Sequence, residues 1–541
     1  MKKTMRQHSF TARLKSLAVV FGIAMVFASC ANEDVAQNPT NPNEDNNKNL
    51  TTFVAGGEAK TRTLMDYNSG NFYWEAGDYI YVKDDDGVLQ KSTNAPTSKV
   101  ATFKYKVPGK FTAHSSYKVY YLGKNSSGNS VSISTAQSQT SPDNTEHFGD
   151  VGDYGTATAT GTLGGKSFSF ELDHQPAYLV FQPYISNTVL YDCYLTKIEV
   201  SSDNDIAEKY TVNPTTGALV ASAVTDGDKI VLTTSGSSSN PNGFPLTNSA
   251  ASVTTNGAYM VIKPGTHTLK VCYWVKDVAT GTEGTITKIL PSTTYASNTY
   301  YDMTANLNVT NYDGDHYYMW DAQQQYWYGY EWTKNLPGNT GQPTLNGNSS
   351  SNSPQSGTDP RHSNESYPGP GISNPATHTS CKDLPNANEL SWYCVYGNPR
   401  WDADKLWTTM GHLYKGGMWF KKKSVLQAEG HYDTEKSADG STDLRTTTIY
   451  KSYTNNSSSI NSGVPSAADA GNYFYLPTLG FYLDGQLYLV GDYGYYWSSS
   501  AYRRFSNSSY LLYFSNGSVN VTDFSRAYGL RAQKFSDFGD N

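Results

Sequence analysis

Residues 473–535 read YFYLPTLGFYLDGQLYLVGDYGYYWSSSAYRRFSNSSYLLYFSNGSVNVTDFSRAYGLRAQKF. Their apolar and aromatic residues come in short runs, which are interrupted at Asp484-Gly485, Gly491-Asp492 and Asn516-Gly517. Such pairs close tight hairpins, because Asn, Asp and Gly tolerate a positive φ. The stretch therefore predicts a compact β domain with an exposed aromatic and polar face.

Upstream of this stretch, the sequence predicts two short helices. Asn386 or Asn388 can cap the start of the first helix, since an Asn side chain accepts hydrogen bonds from the free backbone N–H groups there. The second helix is predicted over Trp401–Leu413, whose apolar residues recur at near-helical spacing: Leu406, Trp407, Met410 and Leu413. Residues 381–541 are therefore expected to form one α+β domain.

Four motifs of this region recur in a known module: Tyr475-Leu476-Pro477, Tyr496-Trp497-Ser498-Ser499-Ser500, Leu511-Leu512-Tyr513-Phe514 with its Asn516-Gly517 turn, and Tyr528-Gly529-Leu530-Arg531. The region resembles the C-type-lectin-like module found as a repeated paralogous domain in Bacteroidetes and Fibrobacter surface proteins. Sugar-binding lectins of this fold carry a Glu-Pro-Asn or Gln-Pro-Asp triplet and a later Trp-Asn-Asp, and this sequence has neither. Calcium-dependent sugar binding is therefore not expected, and no metal site or cofactor is predicted.

The loops around Trp497 are the candidate ligand-binding surface of this domain. Aromatic side chains with polar neighbours suit both glycan and protein ligands. The ligand is expected to be a molecule on the surface of a host cell or of a bacterium. The candidate residues are Trp497, Tyr502, Arg503, Arg504, Asn507 and Asn516.

The first 29 residues have the composition of a secretion signal. An apolar run, Leu17–Ala28, is too short to be a stable membrane-spanning helix, and positive residues precede it: Lys2, Lys3, Arg6, Arg13 and Lys15. Small residues then lead into Cys30, which resembles the lipobox of bacterial lipoproteins. The resemblance implies that Cys30 becomes the first mature residue and carries acyl chains such as palmitate, which anchor the chain at the surface of the outer membrane. The alternative is an ordinary signal peptide in which Cys30 is incidental.

The composition is that of an exported, β-rich protein. There are 43 Tyr and 46 Gly among 541 residues, and only 16% of the residues are charged, a mixture that favours strands and turns over helices. The formal charge is -7, and the signal holds five positive residues and no acidic ones, so the mature chain is more acidic still. Nucleic acid is therefore not an expected partner.

Four cysteines follow Cys30: Cys193, Cys272, Cys381 and Cys394. In an oxidising compartment they can pair as Cys193/Cys272 and Cys381/Cys394, although spacing alone establishes neither bond. A zinc site is not expected, because no Cys-x-x-Cys motif or neighbouring set of His residues accompanies them.

The middle of the chain carries a second ordered set of motifs: Thr61-Arg62-Thr63, Trp74-Glu75-Ala76-Gly77-Asp78 before an aliphatic strand, FELDHQPAYLVF at 170–181, and Tyr210-Thr211-Val212-Asn213 followed by Thr216-Gly217-Ala218-Leu219. In this order, over residues 51–310, they resemble the fimbrillin family of Bacteroidetes pilins. The family implies two tandem transthyretin-like β-sandwich domains, and the change of pattern at residues 187–191 is where they are divided.

The complete prediction is a mainly β chain of six segments. The Asn-, Pro- and acid-rich tether is too polar to fold, and the Ser-, Gly- and Pro-rich linker is expected to be flexible. The segments are a signal peptide (1–29), a disordered tether (30–49), a first fimbrillin β-sandwich (50–188), a second one (189–311), an aromatic bridge with a flexible linker (312–380) and the α+β C-type-lectin-like domain (381–541).

The fimbrillin resemblance also implies a mode of assembly with other pilus subunits. Precursors of this family are lipoproteins that a protease cuts after an Arg, so that the first strand leaves and a strand of another subunit takes its place by β-strand addition. Arg62 is the only Arg between Cys30 and Arg361, and it follows the predicted strand Leu50–Ala55. A cut after Arg62 removes the strand and the lipid together. The alternative is that Arg62 stays uncut.

Stalk subunits of the family donate a strand from a C-terminal extension, and only six residues follow Phe535 here. The expected role is therefore a tip adhesin of the fimbrium, which accepts a strand and binds its ligand through residues 381–541. The alternative is a lipoprotein that stays on the membrane, either as a pilus anchor or as a glycan- or protein-binding receptor without polymerisation.

Enzymatic activity is not expected from this sequence. Gly164-Gly165-Lys166-Ser167 lacks the earlier glycine of a phosphate-binding loop, because Thr160 stands at that position. Ser498–Ser500 lack a Gly-x-Ser-x-Gly elbow, and no His can be assigned to them. No catalytic residue is therefore assigned.

Overall fold

The computed structural model describes residues 5–9, 50–56, 64–67, 71–124, 126, 128–330, 353–364 and 375–540. Over these residues the chain is mainly β, as its composition predicts. It divides into an N-terminal unit (Met1–Tyr184, Leu195–Trp274 and Thr287–Asn306) and a C-terminal unit (Ile185–Tyr194, Val275–Ile286 and Leu307–Asn541). Cys30 and Arg62, on which the lipidation and processing predictions depend, lie outside the described residues. The predicted boundary between two sandwiches at 188/189 stays a prediction.

The first 312 residues contain two short helices and 26 described strands. The helices are α1 (Phe148–Val151) and α2 (Val253–Asn256). The strands are β1 (Met5–Ser9), β2 (Leu50–Ala55), β3 (Leu64–Asp66), β4 (Asn71–Tyr73), β5 (Ile80–Lys83), β6 (Leu89–Lys91), β7 (Phe103–Pro108), β8 (Ser116–Tyr121), β9 (Ser130–Ser132), β10 (Ala136–Ser138), β11 (Gly155–Gly161), β12 (Ser167–Phe170), β13 (Asp173–His174), β14 (Ala177–Tyr184), β15 (Cys193–Ser202), β16 (Glu208–Val212), β17 (Leu219–Ala223), β18 (Lys229–Thr233), β19 (Phe244–Pro245), β20 (Ala258–Ile262), β21 (Gly265–His267), β22 (Leu269–Asp277), β23 (Glu283–Ile289), β24 (Thr293–Tyr295), β25 (Thr299–Asn306) and β26 (Thr310–Tyr312).

Three sheets contain most of these strands. The largest has the order β6-β5-β8-β11-β12-β2-β7, with β13 added to β11. A second has the order β10-β18-β15-β22-β23 with β19 added to β15, and a third the order β1-β25-β14-β20. Strands β15, β18, β20 and β22 lie within residues 189–311, the segment predicted to form the second sandwich.

Strand β2, the predicted first strand, lies inside the largest sheet. It runs parallel to β12 on one side and antiparallel to β7 on the other. Its residues alternate between buried and half-buried, because successive side chains of a strand point to opposite faces. Thr51, Phe53 and Ala55 are the buried ones, so β2 is part of the core of the N-terminal unit.

The remaining strands and two further helices belong to the C-terminal unit. The helices are α3 (Ala387–Tyr396) and α4 (Lys423–Ala428). The strands are β27 (Tyr317–Tyr318), β28 (Arg400–Thr409), β29 (His412–Lys421), β30 (Tyr453–Asn456), β31 (Asn461–Ser462), β32 (Tyr473–Pro477), β33 (Leu479–Leu483), β34 (Gln486–Val490), β35 (Gly494–Ala501), β36 (Ser508–Ser515), β37 (Ser518–Ser525) and β38 (Leu530–Arg531).

Two sheets organise the C-terminal unit. One has the order β26-β28-β29-β32 with β31 added to β28, and the other has the order β27-β38-β35-β36-β37-β30 with β33 and β34 attached. The predicted hairpin turns at Asp484-Gly485 and Asn516-Gly517 are confirmed, since they join Leu483 to Gln486 and Ser515 to Ser518. No helix among the described residues is long and apolar enough to cross a membrane.

The first predicted helix is confirmed, and the second is wrong. Asn386 caps α3 by a capping box, in which the Glu389 N–H donates to Asn386 Oδ1 and the Asn386 N–H to Glu389 Oε2. Residues 401–413 instead form the hairpin of β28 and β29. A two-residue turn at Met410-Gly411 joins the strands, and both residues have a positive φ, which a helix does not permit.

The aromatic stretch at 312–330 is part of the C-terminal unit, whereas the sequence predicted a bridge between domains. β27 pairs with β38, and Tyr317, Trp320, Tyr326 and Trp327 are buried. Tyr317, Tyr326 and Trp327 pack in one cluster with Tyr482, whose ring lies 4.9 Å from that of Tyr326. Aromatic density here fills a core.

Candidate functional site

The site begins at an irregularity in β35. This strand pairs with β36 in regular antiparallel register from Gly494 to Trp497, and the register then shifts so that Ala501 lies opposite Ser509. The intervening serines, Ser498–Ser500, form a bulge. Bulges of this kind redirect side chains and occur beside functional sites.

The serine bulge joins two other segments of the C-terminal unit. The Ala376 N–H donates to the carbonyl oxygen of Ser499 at 2.9 Å. The Ala387 N–H, in the first turn of α3, donates to Ser500 Oγ at 3.0 Å. Ser498 Oγ donates across the sheet to the carbonyl oxygen of Tyr510 at 2.7 Å. These hydrogen bonds therefore fix the bulge against the start of α3.

A cavity of about 290 Å³ opens beside the bulge. Its walls come from the bulge, from the start of α3 and from the loop before β30, and they carry hydroxyl, amide and guanidinium groups. The lining residues are Pro375, Asn386, Arg445, Thr446, Ser499, Ser500 and Ala501.

The loop that supplies Arg445 and Thr446 is held by a side chain of α3. The buried Asn388 accepts a hydrogen bond from the Leu444 N–H at 2.8 Å and donates to Asp443 Oδ1 at 2.8 Å. Arg445 forms ion pairs with Asp443 and Glu435. Hydrogen bonds to these two carboxylates raise the pKa of Arg445, and Asp443 has a pKa below its usual range because its bonds to Arg445 and Asn388 outweigh its burial.

Exposed aromatic and cationic side chains lie in the two loops that continue from the wall residues Ala501 and Thr446. The loop that follows Ala501 carries Arg503, Arg504 and Phe505, and the loop before β30 carries Ile449 and Tyr450. Arg503 donates to the carbonyl oxygen of Thr446, which ties the two loops together. Ile449, Tyr450 and Phe505 are 76%, 55% and 51% exposed. Exposed apolar side chains rimmed by polar ones mark interaction sites.

The structure separates the six sequence-predicted ligand residues. Arg503, Arg504 and Asn507 share the loop between β35 and β36. The structure corrects the prediction for Trp497 and Tyr502, because their side chains are only 1% and 3% exposed. Trp497 Nε1 donates to the carbonyl oxygen of Tyr318 at 2.9 Å, and burial raises the pKa of Tyr502. Both side chains stabilise the domain from inside.

Asn516 is also separated from this loop. It lies in the exposed turn between β36 and β37. The cavity is at the other end of β36, which at about 3.4 Å per residue spans roughly 24 Å. Asn516 therefore does not contribute to the site.

The cavity walls that come from other segments are not predictable from local sequence patterns. Ser499 and Ser500 were recognised as part of a signature but not as lining residues, and Asn386 was recognised only as a helix cap. Arg445, Thr446 and Tyr450 lie in an irregular segment, where no periodic pattern identifies them. The Asn388 amide holds that segment, and a buried Asn in the first turn of α3 is the sequence feature that could have indicated a contact with it.

A second cavity of about 400 Å³ lies near Asp321 in the same unit. Asp321 is fully buried, and it accepts hydrogen bonds from the backbone N–H groups of Thr377 and His378 and from Asn364 Nδ2. Its carboxylate is therefore used to join chain segments. Within the described ranges no three His, Cys, Asp or Glu side chains are grouped as metal ligands.

Neither predicted disulfide is present among the described residues. Cys193, Cys272, Cys381 and Cys394 are all buried free thiols. Cys381 and Cys394 lie in different apolar clusters, since Cys381 packs near Trp497 and Cys394, on α3, packs near Val519. Burial raises the pKa of each of these two thiols to about 12, so both are protonated at neutral pH.

The chain was compared with known proteins. No protein-family model matches it, and no curated protein matches it. Among solved structures, it is similar to a candidate cell adhesion protein of Bacteroides ovatus, with 13% identity over 48% of this chain and 92% of the other, and a TM-score of 0.31. It is also similar to the fimbrial anchor protein Mfa2 of Porphyromonas gingivalis, with 12% identity over 44% of this chain and 82% of the other, and a TM-score of 0.21.

A fimbrial protein of Bacteroides ovatus aligns over more of the chain, with 11% identity, 89% of this chain, 98% of the other and a TM-score of 0.23. TM-scores this far below 0.5 do not establish a common fold. The function is therefore argued from this chain's own residues.

Proposed function

We propose that this chain is a cell-surface pilus subunit that acts as a tip adhesin. Its N-terminal unit accepts a strand of another subunit in place of β2, and its C-terminal unit binds a surface ligand at the cavity beside the serine bulge. The observation that carries the proposal is the position of β2 inside a sheet, seven residues before Arg62.

Strand β2 contributes both backbone and side chains to its sheet. The Thr52 N–H donates to the carbonyl oxygen of Lys166 at 2.9 Å. Phe53 is fully buried, and its ring centroid lies 5.4 Å from that of Phe168 and 5.1 Å from that of Phe111. Burial of one Phe side chain contributes roughly 1.5–3 kcal/mol. Loss of β2 therefore exposes two strand edges and an apolar groove.

A donor strand replaces what β2 provides. The edges of β12 and β7 offer hydrogen bonds to any extended chain, and the groove accepts apolar side chains at alternate positions. Since Arg62 follows β2, a cut after Arg62 opens this groove and separates the remaining chain from a lipid on Cys30. Processing and strand acceptance are thereby coupled.

The last described residues are packed into the C-terminal unit. Phe535 is 3% exposed and packs against Tyr393 and Phe474. The Asp540 carboxylate accepts hydrogen bonds from the Tyr393 hydroxyl and the Lys423 N–H. A donor strand has to leave its own subunit, whereas residues 535–540 are held in the C-terminal unit. This segment accordingly does not serve as a donor.

The test is the mature N-terminus of the protein in intact cells and in sheared surface filaments. Mass spectrometry is expected to find filament-borne chains that begin at Thr63. Arg62→Gln is expected to keep the protein on the membrane and out of the filaments, and Lys60→Gln, a nearby loss of one positive charge, is expected to change nothing. Chains that begin at lipid-bearing Cys30 and stay on the membrane would instead support the anchor or receptor alternative.

A further inference from the structure

The guanidinium of Arg504 lies beside two exposed aromatic rings, in the loops that continue from the wall residues Ala501 and Thr446. Its central carbon is 6.0 Å from the ring centroid of Tyr450 and 5.9 Å from that of Phe505. At this distance a cation is attracted to the ring faces, so the rings help to orient the guanidinium. Arg504 forms no ion pair with any described residue, and its side chain is exposed.

The acidic groups of this surface are already engaged. Asp443 and Glu435 pair with Arg445. Asp523 is half-buried, and burial raises its pKa, although a hydrogen bond from Ser508 and the charge of Arg504 act in the opposite direction. In a chain whose formal charge is -7, the loop with Arg503 and Arg504 is therefore a local positive surface. Such a surface attracts an anionic ligand.

The cavity next to these groups is small and polar. Ser499 Oγ, on its wall, has no hydrogen-bond partner among the described residues, and Thr446 adds a second hydroxyl group. Hydroxyl groups of this kind bind polyols, and a volume of about 290 Å³ accommodates one sugar ring with its substituents. Exposed Tyr and Phe rings suit the apolar face of a sugar.

From this combination we propose that the cavity binds an acidic sugar residue, whose carboxylate or sulfate group is paired with Arg504 while its ring hydroxyls contact Ser499. The proposal rests on the ligand-binding role proposed above and names the ligand class. A neutral sugar has no acidic group to pair with the exposed guanidinium of Arg504.

The experiment measures binding of the full mature chain to 3′-sialyllactose, 3′-sulfated lactose and lactose by isothermal titration calorimetry at low salt. We expect both acidic probes, the sialylated trisaccharide and the sulfated disaccharide, to bind at least about tenfold more tightly than lactose. This is the range for one hydrogen bond to a charged group. Arg504→Gln is expected to remove that difference, and Ser499→Ala to weaken all binding by about two- to tenfold. Lys534→Gln, an exposed charge in the same unit, is the matched control. Preference for the sialylated or for the sulfated probe identifies the acidic group.

Three results overturn the proposal. Equal binding of lactose and its acidic derivatives, or unchanged binding by Arg504→Gln with an unchanged melting temperature, excludes an acidic sugar. Binding of a surface protein but of none of these sugars excludes it too, while the proposed adhesin function survives. Failure of the proposed adhesin function would give a different result. Filaments that contain the protein would then adhere no better than filaments without it.

Discussion

Asp277 at the end of β22 and His412 at the start of β29 form an ion pair, in which Asp277 Oδ2 lies 3.2 Å from His412 Nδ1. The same oxygen accepts the Leu413 N–H at 2.9 Å. The bond to Asp277 raises the pKa of His412 despite partial burial, helped by the charge of Asp192. Burial favours a protonated Asp277, but bonds from His412 and Leu413 outweigh it and lower its pKa.

The first prediction is a pH dependence of stability. Because the pKa of His412 is raised in the folded state, its contribution is fully present below about pH 6.5, the unfolded value, and is lost as the pH rises through the folded value. The free energy of unfolding of the wild type should fall by about 1 kcal/mol across that range relative to Asp277→Asn. Denaturant unfolding at pH 5.5 and 8.5 measures it.

Asp277→Asn is the suitable comparison, because an amide oxygen can still accept the Leu413 N–H while the charge is gone. Parallel pH profiles of wild type and variant would show that the pair contributes no pH-dependent stability.

The second prediction concerns the turn that replaced the expected helix. Gly411 has a φ of 81°, in the left-handed region. A side chain there costs about 1 kcal/mol or more, so Gly411→Ala should lower the free energy of unfolding by that amount. Gly517→Ala is the control, since Gly517 lies in another hairpin turn, does not have a positive φ and has open space around it. Equal effects of the two substitutions would contradict this account.

The miss at residues 401–413 has a physical cause. Leu406, Trp407 and Leu413 are spaced as on a helix, but a hairpin also buries them, on the two strands that flank the turn. The turn consists of Met410 and Gly411, both of which have a positive φ. Met is not a residue type that indicates such a turn in a sequence. Here tertiary contacts determine the structure and local spacing does not.

Other features were predictable because their signals are local. The cap of α3 needs only Asn386 and Glu389, three residues apart, and the turn at Asn516-Gly517 needs only that pair. The cavity is different, since its walls come from three separate segments and depend on the bulge at Ser498–Ser500. A bulge is defined by pairing with β36, which the sequence of β35 alone does not encode.

The third prediction tests the role of β2. Phe53→Ala should lower the free energy of unfolding of the uncut chain by about 3–5 kcal/mol, as expected for a buried Phe. Thr52→Ala is the control, because Thr52 is only half-buried, on the other face of the strand. Denaturant unfolding of the two variants gives the difference. A small effect at Phe53 would mean that β2 is dispensable to the core, which would remove the basis for strand exchange.

The fourth prediction concerns the cysteines. A chain without its signal and with Cys30 replaced by Ser should show no reactive thiol with a chromogenic disulfide reagent while folded, because the four remaining thiols are buried and the thiolate is the reactive form. In denaturant without reductant it should show four. Two or none in denaturant would mean that one or both of the pairs Cys193/Cys272 and Cys381/Cys394 form disulfides after all.

The fifth prediction concerns the buried Asn388, which connects α3 to the loop at the cavity. Asn388→Ala leaves the Leu444 N–H without its acceptor and Asp443 without a donor, at a cost of about 1–3 kcal/mol. The loop should then open locally while the rest of the unit stays folded, so trypsin should cut after Arg445 faster than in the wild type. Asn456→Ala, in β30, is the control. Unchanged cleavage at Arg445 would mean that the ion pairs of Arg445 with Asp443 and Glu435 hold the loop without Asn388.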